Sequence, residues 1–125
     1  MIDETMNELT EQVIGAAIEV HRHLGPGYLE ATYGKALAIE LHLRGIPFHK
    51  EAPICLEYKG EPVGEGRMDF LVGDKLILEL KVVDAFHPIH TAQAMSYLKA
   101  TGHRLTLLLN FNTPTMKDGI KRIAL

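Results

Sequence analysis

Between Leu76 and Val83 the residues alternate, so Leu78, Leu80 and Val82 share one face of a strand and Ile77, Glu79, Lys81 and Val83 the other. Two opposite charges thus sit beside two apolar residues on a half-covered face, where each charge needs a partner. A three-residue turn at Gly73-Asp74-Lys75 pairs Val72 with Leu76, and counting back along that hairpin sets Asp69 across from Glu79. Cross-strand neighbours lie about 4.5–5.5 Å apart at Cβ. Two carboxylates that close repel at neutral pH unless a proton or a cation lies between them. Lys81 supplies part of the compensation; a hard cation such as Mg²⁺, which takes oxygen ligands and keeps several waters, supplies more. The chemistry predicted is metal-assisted hydrolysis of a phosphodiester. Asp69, Glu79 and the backbone carbonyl of Leu80 would hold the ion, while Lys81 would orient or deprotonate the attacking water and offset developing charge. The competing reading is structural, with Asp69 and Glu79 as a pair held by Lys81 and Arg67.

A Glu-x-Lys tripeptide says little by itself, since a chain of this composition holds about one by chance. This chain has a second, Glu57-Tyr58-Lys59, which ends its strand at a Gly-Pro turn and has no acid placed opposite on an earlier hairpin strand. Only Glu79-Leu80-Lys81 combines an upstream Asp, an apolar strand and a following helix.

The elements that must position this hairpin are legible from periodicity. Apolar residues at Leu9, Val13, Ala17, Val20 and Leu24 predict an amphipathic helix over Glu8–Leu24, stopped by Gly25-Pro26-Gly27. A second helix is expected from Tyr28 to Arg44, with Gly45 as its stop signal. Shorter runs bounded by Gly and Pro then predict strands at Phe48–Tyr58, Val63–Val72 and Leu76–Val83, joined by turns at Lys59-Gly60-Glu61-Pro62 and Gly73-Asp74-Lys75 into an antiparallel meander. A helix over His90–Thr101 follows Pro88 and stops at Gly102. The last strand, Leu105–Asn110, is nearly continuous leucine, as expected where both faces are covered. Pro114–Leu125 reads as a short helix or a tail. The order α, α, β, β, β, α, β implies a mixed sheet packed by helices, in one domain over residues 1–125.

Hydrophobic residues make up 46% of the 125 and charged residues 23%, close to soluble globular averages, which excludes disorder and fibrous repeats. No apolar run approaches the roughly 20 residues of a membrane helix, and the N-terminus lacks the basic and apolar stretches of a leader; no membrane partner and a cytoplasmic location are the expectations. The lone Cys55 forms no internal disulfide. The net charge of −3 argues against bulk electrostatic coating of nucleic acid. That acidity is N-terminal: residues 1–30 hold six acids against one base, a net −5, and the remainder is +2.

Other residue groups have plainer readings. Seven histidines include His21-x-His23 and His87-Pro88-Ile89-His90, but neither spacing fits a zinc motif and one cysteine completes none. Tyr28, Tyr33, Tyr58 and Tyr97 could stack on bases, yet their spacing assigns most of them to core packing. Glu30 falls in the first turn of its helix, where the dipole favours an acid without any function. Gln93 reads as a helix-surface residue.

Asp69, nine intervening residues and Glu79-Leu80-Lys81, inside an α-β-β-β-α-β order, resemble the PD-(D/E)XK nuclease superfamily. More narrowly, Gly27-Tyr28-Leu29-Glu30-Ala31-Thr32-Tyr33 reads Gly-x-x-Glu-x-x-Tyr, similar to the small prokaryotic GxxExxY branch. Tyr97-Leu98-Lys99 with Gln93 upstream, and Leu108-Leu109-Asn110-Phe111, are also typical of that branch. Met68 stands where the superfamily name has Pro, a position that places no ligand. The resemblance covers about Leu9 to Arg122. It implies an α/β, restriction-endonuclease-like α-β-β-β-α-β core with an extra N-terminal helix, DNA as substrate and Mg²⁺ or Mn²⁺ as cofactor. It implies Asp69 and Glu79 as metal ligands, Glu30 as a further acidic site residue at the metal, Lys81 as the catalytic lysine and Gln93 as an accessory polar group. A module that keeps this fold without turnover is the alternative. A homodimer, or a protein partner docked on the acidic first helix and supplying DNA affinity, is the partner expectation.

Overall fold

The leucine run Leu105–Asn110 demands a strand with both faces covered, and the fold is arranged around it. The computed structural model describes residues 3–125. Among them are helices α1 (Glu4–Leu24), α2 (Glu30–Leu43) and α3 (Pro88–Thr101), and strands β1 (Phe48–Tyr58), β2 (Glu61–Val72), β3 (Leu76–Lys81), β4 (Leu105–Asn110) and β5 (Ile120–Ala124). The strands form one sheet in the order β1-β2-β3-β4-β5, in which β3 and β4 run parallel and all other neighbours antiparallel. The parallel pair needs a crossover, and α3 supplies it. Helices α1 and α2 cover one face and α3 the other.

Strand alternation therefore feeds two cores. Leu76, Leu78, Leu80, Leu105, Leu107 and Leu109 pack with Val13, Ala17, Tyr33 and Leu37 beneath α1 and α2. Ile77 and Leu108 pack with Met68, Ala94 and Leu98 beneath α3. The expected faces of β3 are the observed ones through Lys81. Val82 and Val83 fall beyond the strand, because the buried Asn110 side chain takes over there: it accepts from Val83 N at 3.2 Å and donates to Val83 O at 2.8 Å.

Five sequence expectations are corrected. Helix α1 starts at Glu4 rather than Glu8, capped by the Asp3 carboxylate, which accepts from Met6 N at 2.8 Å. Helix α2 starts at Glu30 rather than Tyr28, and α3 starts at Pro88 rather than His90, as suits a proline in a first turn. The turn between β1 and β2 is only Lys59-Gly60, both at positive φ; Glu61 and Pro62 already pair with Tyr58 and Glu57. Pro114–Leu125 is neither plain helix nor tail: a 3₁₀ turn, Met116–Gly119, leads into β5 on the edge of the sheet. Its exposed Lys121 and Arg122 give it the look of a solvated end, and such charges are what protect an edge strand. Gly119 allows the return, because a Cβ there would collide with the Asn110 carbonyl oxygen.

Asn110→Ala leaves the Val83 N–H without its side-chain acceptor and the Val83 C=O with only the longer bond from Asn112, in a half-buried loop. A loss of about 1–3 kcal/mol is expected in equilibrium urea unfolding, with an unchanged m-value.

Candidate active site

The hairpin turn sets Val72↔Leu76, Leu71↔Ile77 and Phe70↔Leu78 as partners, the register expected from the sequence. The same register brings Asp69 level with Glu79, but the ladder ends one pair short of them. Beyond Phe70, strand β2 pairs only with β1, and beyond Leu78, β3 pairs only with β4. The sheet forks there. The local cause lies in β2 itself: Phe70 packs into the α1/α2 core and Met68 into the α3 core, although two residues apart on a regular strand would share a face. Strand β2 rolls over at Asp69. On β1 the level residue, Glu51, drops out of the pairing and takes a φ of 59°, a left-handed conformation uncommon for a non-glycine.

The Asp69 carboxylate replaces the lost ladder bond, accepting from Leu80 N at 2.8 Å through Oδ2. A strand residue points its N–H and C=O to the same side, so the Leu80 carbonyl also faces the fork. Glu79 projects from the opposite side of the pleat, toward α3, and is 5% exposed. Its Oε1 has no hydrogen-bond partner. Burial, then the Asp69 charge and a hydrogen bond to Asp69, push the Glu79 carboxyl up to about 9; Lys81 acts in the opposite direction. Without a cation, the pair keeps a proton at neutral pH. The structural ion-pair reading is not what the fold shows, since neither Asp69 nor Glu79 forms a salt bridge among the described residues.

Glu30 reaches the same place from α2. The Gly25-Pro26-Gly27 break, with Gly27 at φ 108°, reverses the chain after α1, and Tyr33 holds the reversal. The Tyr33 hydroxyl donates to Gly25 O at 2.5 Å and accepts from Tyr28 N at 3.2 Å. Its buried ring stacks on Phe111 at 4.6 Å, and Phe111 N donates to Lys81 O at 3.0 Å. One packed chain of contacts thus sets both the start of the Glu30 helix and the end of the Lys81 strand. Partial burial and the Asp69 charge raise the Glu30 pKa, opposed by Lys81.

Glu30, Asp69, Glu79, Lys81 and Gln93, the five side chains singled out in the sequence, line one open cavity of about 500 Å³; Leu80, named for its carbonyl, is not among the lining residues. Arg67 and Tyr97 line it too. Arg67 was detectable as the residue two before Asp69 on the same strand; Tyr97, one turn after Gln93, follows the helix repeat. The tyrosines correct another expectation: only Tyr33 is buried, whereas Tyr28 is 50% and Tyr58 63% exposed. Among the described residues the histidines gather no metal site. His87 and His90 cap α3, where His87 Nδ1 accepts from Ile89 N and His90 Nδ1 from His87 N. Glu57-Tyr58-Lys59 lies at the exposed hairpin tip, remote from the fork in register.

Among the described residues no three His, Cys, Asp or Glu side chains close around a single point. What the fork offers is two carboxylates and a carbonyl, and a buried carboxylate oxygen without a partner. That donor set fits a hard divalent cation that keeps part of its water.

A protein-family comparison matches residues 7–123 to the PD-(D/E)XK nuclease superfamily. The chain belongs to that superfamily. Its α-β-β-β-α-β core, with α1 added in front, is the restriction-endonuclease-like arrangement. Among solved structures, an alkaline exonuclease from Laribacter hongkongensis is similar at 16% identity and a TM-score of 0.45, over 99% of this chain and 71% of that one. No curated protein matches the chain. No helix of this PD-(D/E)XK protein is long and apolar enough, among the described residues, to cross a membrane.

The Glu79 shift sets a pH dependence. The unfolded carboxyl ionises near 4.5, while the folded one holds its proton to about 9. Between those values the folded state binds more protons, so metal-free stability falls as pH rises, at up to about 1.4 kcal/mol per pH unit. Chemical unfolding at several pH values in EDTA should show this slope in wild type and a flatter profile in Glu79→Gln.

Proposed function

We propose that this chain is a Mg²⁺-dependent nuclease of the GxxExxY branch that hydrolyses DNA phosphodiester bonds. The observation that carries the reading is the buried Glu79 carboxylate, with an unpartnered oxygen, beside Asp69 at the fork of the sheet. Asp69, Glu79 and the Leu80 carbonyl would hold the cation, with Glu30 as a further acid at its edge. When bound, Mg²⁺ or Mn²⁺ supplies Lewis-acid polarisation of the phosphate and lowers the pKa of water.

The remaining work falls to the chain. Lys81, half-buried on the face that carries Glu79, orients the attacking water and offsets negative charge as the new phosphorus–oxygen bond forms and the bond to the sugar oxygen breaks. The Lys81 charge opposes the rise in the Glu30 pKa, and the two side chains line the same cavity near the reacting phosphate. Gln93, on α3, faces the same cavity as a neutral hydrogen-bonding group. Tyr33 and Asn110 are positioning residues, fixing the helix start and the strand end.

Cleavage of single-stranded, duplex and nicked DNA with Mg²⁺ or Mn²⁺ tests the reading. Asp69→Ala and Lys81→Ala should each reduce the rate by about 10²–10³-fold while retaining native circular dichroism. Wild type and both variants equally inactive while folded would overturn turnover and leave a binding module with a nuclease fold.

A further inference from the structure

A second cavity, of about 420 Å³, opens beside the first and shares Glu30, Arg67 and Asp69 with it. The shared walls make the two cavities arms of one trough with Asp69 at the junction. The second arm runs between α2 and the β1–β2 hairpin, and its character differs from that of the first: Lys35 stands on α2 and Lys50 on β1, both exposed, and Arg67 guards the junction.

These cations are placed by the fold around the residue at which β2 rolls over. Lys50 pairs in register with Phe70, the neighbour of Asp69, and Arg67 lies two residues before Asp69 on the other side. The Lys50 Nζ sits 6.0 Å from the Phe70 ring centroid, and a Cβ on Gly34 would be 3.6 Å from it. The ammonium is therefore drawn across the floor of the arm toward α2, where a glycine leaves it room. None of Lys35, Lys50 and Arg67 takes part in a salt bridge among the described residues. Apart from the site acids Glu30 and Asp69, the arm contains one carboxylate, Glu51.

Lys35, Lys50 and Arg67 face Glu51 within the arm and Glu30 and Asp69 at its junction with the site; with the two junction acids turned to the reacting centre, three cations in a concave arm that ends there suit a polyanion entering or leaving it. The geometry points to Lys35, Lys50 and Arg67 as the grip on the DNA phosphates that flank the one cleaved. This rests on the nuclease reading for what lies at the junction. It also answers how a chain of net charge −3 holds DNA: the contacts are few and local, and their signature is a modest salt dependence that these three side chains carry.

The test is fluorescence anisotropy of labelled single-stranded and duplex oligodeoxynucleotides with the full chain in EDTA, over a series of salt concentrations. The variants are Lys35→Gln/Lys50→Gln/Arg67→Gln, which keeps stems and polarity, Glu51→Gln, and Lys99→Gln/Lys117→Gln as a control for exposed charge elsewhere. The triple variant should raise Kd at low salt at least tenfold and flatten the plot of log affinity against log salt by about two units, from roughly 0.7 per contact on a single strand. Glu51→Gln should bind more tightly, and the control within twofold of wild type. The oligonucleotide form that loses more slope is the one that occupies the arm. A wild-type slope retained in the triple variant, an equal loss in the control, or no binding by wild type at low salt would overturn the proposal. Cleavage read in parallel separates it from the nuclease reading: a triple variant that cleaves with unchanged KM removes the arm alone, whereas lost binding in a protein that cleaves nothing upholds the arm and removes turnover.

Discussion

The Glu79 carboxylate is buried because strand β3 is the centre of the sheet and its pleat alternates. Leu78 and Leu80 must face α1 and α2, so Glu79 must face α3, beside the Asp69 carboxylate and, among the described residues, with no cation within ion-pairing distance. A carboxylate in that position is unfavourable as an anion. A proton relieves it, and in the proposed function a divalent cation would do the same. Burial, repulsion by the Asp69 charge and the missing hydrogen bond at Oε1 all express that one constraint.

The fork makes the constraint useful. Had β2 stayed paired with β3 past Phe70, the Leu80 N–H and C=O would have been consumed by the ladder. The roll of β2 at Asp69, opposite the left-handed Glu51, frees them: the N–H fixes the Asp69 carboxylate and the C=O is left facing the opening. Strain at a residue level with the site is consistent with a place where structure is held for function. Two further devices fix what surrounds it. Tyr33 joins the Gly-Pro-Gly reversal to Phe111 and through it to Lys81, and Asn110 stands in for the strand that ends there.

Much of this was legible in the residues. The alternation of Leu76–Lys81 and the three-residue turn before it gave the correct faces and register, and the Gly-x-x-Glu-x-x-Tyr run placed Glu30 at a helix start. The end of the ladder was not legible, because counting back along a hairpin assumes that pairing continues, and the roll at Asp69 depends on two cores competing for Met68 and Phe70. Strand β5 was hidden because its five residues carry the charges of an exposed end. Lys35, Lys50 and Arg67 come from a helix and two strands, and only the crossing of α2 over the β1–β2 hairpin brings them together. Tyr28 lies in the loop before α2 and Tyr58 at the exposed end of β1, where periodicity does not imply burial.

In the proposed function Glu79 exchanges a proton for a divalent cation. Isothermal titration of Mn²⁺ and Mg²⁺ into wild type and Glu79→Gln, at neutral pH in buffers of different ionisation enthalpy, measures both events at once. Wild type should bind saturably with release of close to one proton per ion, and the variant, its fold retained, should lose both. Equal binding by the two proteins, or binding by wild type without proton release, would contradict that exchange.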